Sequence, residues 1–229
     1  MADLGYASTN FEGYRVTLLD TTGNFVASST GLYVCEDGIS LATAFTNQDG
    51  TSYLQRAGNG APCVNRTGAT VQTGATVTLT VCKWQWSLMY LLMGGKLAED
   101  GSGNIIGWSM PDPDEVSDRR TCLEAWTLAV DGETVAEYGG LPAYQHHIYP
   151  QVSWSLADFT FADAVNVFPL TGVVSPNANI GNGPANDWPA FDEPLGLLDG
   201  HPTGPWASFL DNNPPAALCE ASNFAVPAS

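Results

Sequence analysis

The sequence predicts a mainly β fold, a sandwich or barrel of short strands carrying one short helix. Three observations predict it. Between residues 76 and 81, apolar Val77, Leu79 and Val81 alternate with Thr76, Thr78 and Thr80, the period of a strand with one buried face. The period then changes: Trp84, Leu88, Leu91 and Leu92 recur at i, i+4, i+7 and i+8, the apolar stripe of an amphipathic helix near 84–93. Elsewhere, short apolar runs are punctuated by turn residues at roughly eight- to twelve-residue spacing, the rhythm of an all-β domain.

The elements follow in chain order. Residues 14–19, YRVTLL, read as a first strand, and Asp20-Thr21-Thr22-Gly23-Asn24 supplies turn chemistry. Short strands are expected at 25–27 and 32–34, before a Glu36-Asp37-Gly38 turn, and another at 39–45. Gln48-Asp49-Gly50 and Gly58-Asn59-Gly60 are turns that set off strands at 52–56 and 62–66. Gly94-Gly95 stops the helix, because glycine accepts the left-handed conformation of a helix C-terminus. A polar turn at 99–104 and a strand at 105–110 follow, then an acidic, proline-broken loop at 111–118. Strands at 123–130 and 134–138 flank Asp131-Gly132, a short hairpin signal. Runs at 144–149 and 152–156 surround Pro150, and Phe159, Phe161, Val165 and Val167 alternate once more. From Gly172 the chain is rich in Pro, Gly, Asn and Ala and loses its periodicity. The expected organisation is a β domain over 1–171 and an extended arm over 172–229. The arm's aromatic residues Trp188, Phe191, Trp206 and Phe209 suit contact with another surface, since a solvated tail has little use for them.

Composition bounds the function. Seven Lys+Arg against 24 Asp+Glu give a net charge of −17, and charged residues are only 14% of the 229. Nucleic-acid binding through phosphates needs clustered Lys and Arg, which this chain lacks; an acidic surface repels a polyanion. No apolar run reaches the ~18 residues of a membrane span. The first residues, MADLGYASTN, lack the basic and apolar regions of a signal peptide, so the cytosol is the expected compartment. Five cysteines without C-x-x-C spacing agree: an odd count argues against a secreted disulfide framework, and most are expected to be reduced and buried.

No catalytic, cofactor or metal set emerges. His146 and His147 are adjacent, so a strand would point them to opposite faces, one buried and one exposed. H-E-x-x-H, G-x-S-x-G and P-loop patterns are absent. The G-x-G runs lack the βαβ setting of a dinucleotide site and read as turns. Asp112, Asp114 and Asp118 loosely suggest a calcium loop, but Ser117 stands where that loop wants glycine, and the segment reads as a solvated acidic turn.

Several landmarks occur in a telling order. They are Tyr14-Arg15-Val16-Thr17-Leu18-Leu19-Asp20, the strand–Cys82–helix–Gly94-Gly95 stretch, and 100–107, DGSGNIIG. Tyr149-Pro150-Gln151-Val152 and the late 182–189, NGPANDWP, complete them. Together they resemble the major tail tube proteins of long-tailed bacteriophages, particularly those of actinobacteria. The resemblance implies a two-sheet β-sandwich with one helix, six copies closing into a ring whose inner sheets form an intersubunit β-barrel, and rings stacking into the tube that conducts DNA. It implies a location in the virion after assembly in the host cytoplasm. The implied partners are other copies of the chain and the tape measure, tail terminator and baseplate proteins, with DNA passing unbound. Two other readings compete: a β-sandwich module that binds a receptor or carbohydrate through exposed aromatics, and an acid-pair hydrolase.

Overall fold

The computed structural model describes residues 7–26, 31–57, 59–112, 114, 118–130, 143–161, 166–177, 179–180, 183–184, 197–198, 201–202, 207–211 and 221–222. Among the described residues the fold is mainly β with one short helix. The strands are β1 (Ala7–Leu19), β2 (Leu32–Cys35), β3 (Gly38–Gln48), β4 (Tyr53–Arg56), β5 (Pro62–Arg66), β6 (Val71–Val81), β7 (Lys96–Glu99) and β8 (Ile105–Ser109). After them come β9 (Arg120–Val130), β10 (Ala143–Leu156), β11 (Phe168–Ser175), β12 (Leu197–Leu198), β13 (His201–Pro202), β14 (Ala207–Asp211) and β15 (Ala221–Ser222). Helix α1 spans Trp86–Met93.

Nine strands form one antiparallel sheet in the order β15-β2-β1-β9-β10-β11-β6-β3, with β14 added on β10. The chain therefore departs from two separate sheets: the hydrogen-bonded path is continuous. β2 and β3 stand near opposite ends of that path yet follow one another in sequence, so the sheet has to roll until its ends approach. Contacts across the roll show that it does. Thr43 of β3 and Tyr149 of β10 share a hydroxyl–hydroxyl bond of 2.7 Å. At the β2–β3 turn, Tyr14 Oη donates to Asp37 Oδ1 at 2.7 Å, and the Cys82 amide donates to the Asp37 carbonyl at 3.0 Å.

Inside the roll lies the core. The inward residues of β6, Val77, Leu79 and Val81, are fully buried, as the alternation predicts. They meet Tyr14, Val16, Tyr33, Leu123, Val152 and Leu170, and α1 closes one end with Leu88, Met89, Leu91, Leu92 and Met93. The helix is shorter than the apolar stripe suggests. Trp84 precedes the N-cap residue Gln85, and Met89 and Met93 join the buried leucines, so α1 is enclosed on most sides rather than along one stripe. Gly94, at φ 77°, ends it and donates its amide to the Tyr90 carbonyl at 2.9 Å. Arg119 supports this end by donating to the same carbonyl at 3.1 Å and lying over the Tyr90 ring at 4.3 Å.

Four expectations need correction. The runs on either side of Pro150 are one strand, β10, with a bulge between Tyr149 and Val152; a bulge is where a strand tolerates proline's missing N–H. The alternation of Phe159, Phe161 and Val167 is not a strand, and Val165 lies outside the described residues. The boundary at 171/172 falls inside β11, whose pairing with both β6 and β10 makes Gly172 part of the sheet. A Cβ at Gly172 would collide with Val152 Cγ1, so the glycine is there for close packing rather than as a sign of a loosening chain. The cysteines also differ: Cys35 is disulfide-bonded, Cys63 and Cys82 are free and exposed, and among the described residues only Cys122 is both free and buried. The second strand expected after Asp131-Gly132 lies outside the described residues.

Segments 20–24 and 100–104 form matching turns. Asp20 Oδ1 accepts from the amides of Thr22 and Asn24 at 2.8 and 2.9 Å; Asp100 Oδ1 accepts from those of Ser102 and Asn104 at the same distances. Hydrogen bonds from the Thr22 hydroxyl and then the Asn24 amide hold the Asp20 carboxyl below the usual range, and those from the Asn104 side chain and then its amide do the same for Asp100. Past β11 the chain returns to the first turn: Asn177 Nδ2 donates to the Gly23 carbonyl at 2.8 Å and Asn179 Nδ2 to that of Thr22 at 2.7 Å. Ile180 is buried with Leu19, Cys122 and Ile148.

Candidate assembly surfaces

Three surface features follow from how β3 to β6 are built. The first is an edge. Among the described residues β3 is hydrogen-bonded to β6 alone, so the other side of an eleven-residue strand offers a row of backbone groups.

The second is a face. Register places Ser40, Ala42 and Ala44 of β3 beside Thr80, Thr78 and Thr76 of β6, which stand beside Pro169, Thr171 and Val173 of β11, with Ser155 and Ser153 of β10 next in line. This outward face carries no charged residue. The acidity of the chain lies elsewhere.

The third is an arm. The chain leaves β3 at Gln48, makes the β4–β5 hairpin and returns into β6 at Val71. The amide of Gly50 donates to the Ala69 carbonyl at 3.0 Å, and Gly50 and Gly68 cross so closely that a Cβ at Gly68 would strike the Gly50 backbone. Beyond this crossing every residue of β4 and β5 is exposed on both faces, including Tyr53 at 61% and Leu54 at 57%.

At the other end of β6 lies an aromatic cluster. Trp84 packs on Phe168 at 5.0 Å and Phe159 at 5.5 Å between centroids, Phe159 meets Phe161 edge-on at 5.3 Å, and Trp86 meets Trp84 at 5.8 Å. Trp84, Trp86, Phe159, Phe161 and Phe168 line an apolar pocket of about 310 Å³, and Phe161 is 72% exposed.

Of the residues singled out from sequence, Leu88, Leu91 and Leu92 are buried in α1, and Trp84 belongs to the aromatic pocket rather than the helix. Trp188, Phe191 and Trp206 lie outside the described residues. Phe209 sits in β14, opposite His146 in the ladder. The β4–β5 arm was not singled out, although its Tyr53, Leu54 and Val64 between glycine-rich turns carried the signal.

The histidines divide as adjacent strand residues must. His146 is buried, stacks on Trp126 at 4.3 Å and reaches Glu124 Oε1 from Nε2 at 3.0 Å. His147 is half-buried on the other face rather than exposed, 3.4 Å from Thr127 Oγ1; burial and then the neighbouring His146 lower its pKa. With Phe11, Leu41, Phe45 and Tyr149, it lines a second pocket of about 300 Å³. In the acidic loop, Asp112 pairs with Lys96 and Asp118 with Arg120, both at 3.0 Å and at the surface. Among the described residues no helix is long and apolar enough to cross a membrane, and no group of three His, Cys, Asp or Glu is placed to hold a metal. The sequence matches no protein-family model and no curated protein.

Proposed function

We propose that this protein is a self-assembling structural subunit of the tail tube kind, whose copies join side by side into rings that stack around a channel for DNA. The observation that carries the reading is the outer edge of β3, which pairing with another copy would extend into a continuous intersubunit sheet. Such pairing would also continue the uncharged Ser/Thr/Ala face from copy to copy. A channel lined this way offers DNA no cations to bind, and the carboxylates around it disfavour phosphate elsewhere. Six copies per ring, a virion location and contact with tape measure, terminator and baseplate proteins belong to the proposal through the resemblance. The Trp84–Phe161 pocket does not favour a carbohydrate-binding role, because sugar recognition needs polar groups beside the stacking ring and this pocket is lined by Trp and Phe alone.

The test is electron microscopy of the purified protein alongside its mass in solution. Rings or tubes are expected; a monomer at every concentration tried overturns the proposal.

A further inference from the structure

The cavity beside His147, about 300 Å³, lies where β3 passes over β1, β9 and β10. Helix α1 follows Val81 at one end of β6, whereas Phe45 on the cavity wall stands opposite Ala75. From Ala75 to Val81 is six steps of ~3.3 Å, so this end of the roll is roughly 20 Å from the end that the helix closes. Ligand sites are common in the mouths of β-barrels, and Phe45 at the rim is exposed. The β1 wall departs from regular strand geometry. Its register with β9 shifts on both sides of Phe11, between Thr9 and Phe11 and between Phe11 and Gly13. Asn10, at φ 53°, is the one non-glycine residue with a left-handed backbone among the described residues. Such irregularities re-aim a side chain and gather at barrel rims and functional sites; here they present Phe11 to the cavity. A Cβ at Gly38 would collide with the Phe11 ring, and Tyr14 stacks on that ring at 6.3 Å between centroids, so its position is fixed from two elements.

The lining has two chemical halves. Phe11, Leu41 and Phe45 are apolar, whereas Thr43, Thr127, Tyr149 and His147 bring three hydroxyls and an imidazole. Thr43 and Tyr149 share a bond of 2.7 Å, and Thr127 Oγ1 lies 3.4 Å from His147 Nε2. Burial first, and then His146, favour the neutral form of His147. A hydroxyl both donates and accepts, and a neutral imidazole has one nitrogen of each kind. Each of the four groups can therefore take a ligand hydroxyl beside or in place of its present contact. No Asp, Glu, Lys or Arg lines the cavity, so a charged ligand finds no counter-charge there. Small-molecule pockets run from about 300 to 1,000 Å³, and one at the low end takes a single ring rather than an oligomer.

We propose that this cavity binds one ring of a neutral sugar, with the C–H face of the sugar on Phe11 and Phe45 and its hydroxyls on Thr43, Thr127, His147 and Tyr149. Aromatic rings supply the apolar contact that orients a sugar's flat face. The hydroxyl and imidazole groups match a ligand whose own polar groups both donate and accept, without the fixed sign that a carboxylate or guanidinium would impose. A phenol, with one hydroxyl, would leave most of the polar half unused. The site goes beyond self-assembly and does not depend on it.

Isothermal titration of the full-length protein with glucose, galactose and mannose, with the uronate of each and with phenol, tests the site. At least one neutral sugar is expected to bind at one per chain, and its uronate and phenol about tenfold more weakly or not at all. Phe45→Ala removes an exposed apolar wall, and Thr127→Val keeps the shape of the side chain while removing its hydroxyl. Each should weaken the sugar by about tenfold, whereas Phe161→Ala, in the other pocket, should leave it unchanged. Thermal melts report whether the variants fold; Phe45 is at the surface, so Phe45→Ala decides if Thr127→Val is unstable. Absence of sugar binding overturns the proposal, as does phenol binding more tightly than any sugar, or a uronate binding as well as its sugar. Sugar binding that survives Phe45→Ala, or that is lost in Phe161→Ala, places the ligand elsewhere and overturns it too. None of these outcomes bears on whether the purified protein forms rings or tubes.

Discussion

Arg15 and Glu124 face each other across β1 and β9 with both guanidinium–carboxylate distances at 2.6 Å, and both side chains are buried. His146 from β10 adds a contact to the same carboxylate at 3.0 Å, and Arg15 lies 5.6 Å over the Trp126 ring. This is the arrangement a buried cation requires in a chain so poor in cations. Desolvation pushes the Glu124 carboxyl up, but the Arg15 charge, the His146 hydrogen bond and the Arg15 hydrogen bonds together outweigh it and hold the pKa at about 2, from 4.5. Removing the carboxylate alone strands Arg15. Glu124→Ala is expected to cost about 3–5 kcal/mol, while Arg15→Met/Glu124→Leu should come close to wild type. A depressed acid contributes stability that is fully present above pH 4.5 and is lost as pH falls toward 2. Urea melts of wild type and the double variant, close at pH 7, should therefore separate on acidification, the wild type losing more.

Asp37 is shifted in the opposite sense. Burial raises its carboxyl pKa, and the Tyr14 hydrogen bond and the Lys83 charge offset only part of the effect. An acid that holds its proton more tightly in the folded state loses stability as pH rises through the window above 3.8. Asp37→Asn keeps an oxygen for Tyr14 and removes the buried charge. Its unfolding midpoint at pH 7 should equal or exceed that of wild type, with the advantage shrinking toward pH 4. A large loss at pH 7 and none at pH 4 would show that the charge itself is needed where the sheet closes.

Leu91 is fully buried where α1 meets the sheet. Leu91→Ala should cost about 2–5 kcal/mol. Leu91→Asp, which also buries an unpaired charge, should give insoluble protein. Soluble, assembly-competent Leu91→Asp would contradict the placement of the helix.

Features governed by local chemistry were legible in the sequence. The turns at Asp20 and Asp100 are set by a carboxylate and a glycine within five residues and stand where the sequence puts them, although Phe25 forms only an isolated bridge to Leu19 and the strand at 96–99 before the second turn was not foreseen. The Gly94 stop and the alternation of β6 are of the same kind. What was not legible depended on distant partners. Glu124, His146 and Arg15 come from three strands, and nothing local to any one of them announces the cluster. β11 was divided between body and arm because Gly172 looks like loop composition, while its role is to let Val152, Trp154 and Val77 come close. Rolling the sheet followed from the β2–β3 link, which only the pairing order reveals.

The Gly172 packing can be measured directly. Its Cβ would meet Trp154 Cε3 at 3.1 Å and Val77 Cγ2 at 3.2 Å as well as the closer Val152 Cγ1. Gly172→Val therefore forces the sheet apart and should cost about 1–3 kcal/mol or more, despite valine's better strand propensity. A Gly172→Val protein as stable as wild type would place this residue at a looser point of the sheet.

Deleting residues 190–229 tests how the late chain belongs to the fold. Read as a free arm, its loss should leave a folded body that assembles poorly. The sheet says otherwise, because β14 pairs with β10 over Tyr144–Ile148 and β15 pairs with β2. Removing them strips one neighbour from His146 and its flanking residues and bares an edge next to the buried Glu124. Exposed strand edges invite pairing with other chains. The truncated protein should unfold at lower denaturant, with a smaller m-value because less surface is buried, and should form irregular aggregates in place of tubes. An unchanged midpoint with loss of assembly alone would restore the view that this segment serves only to join subunits.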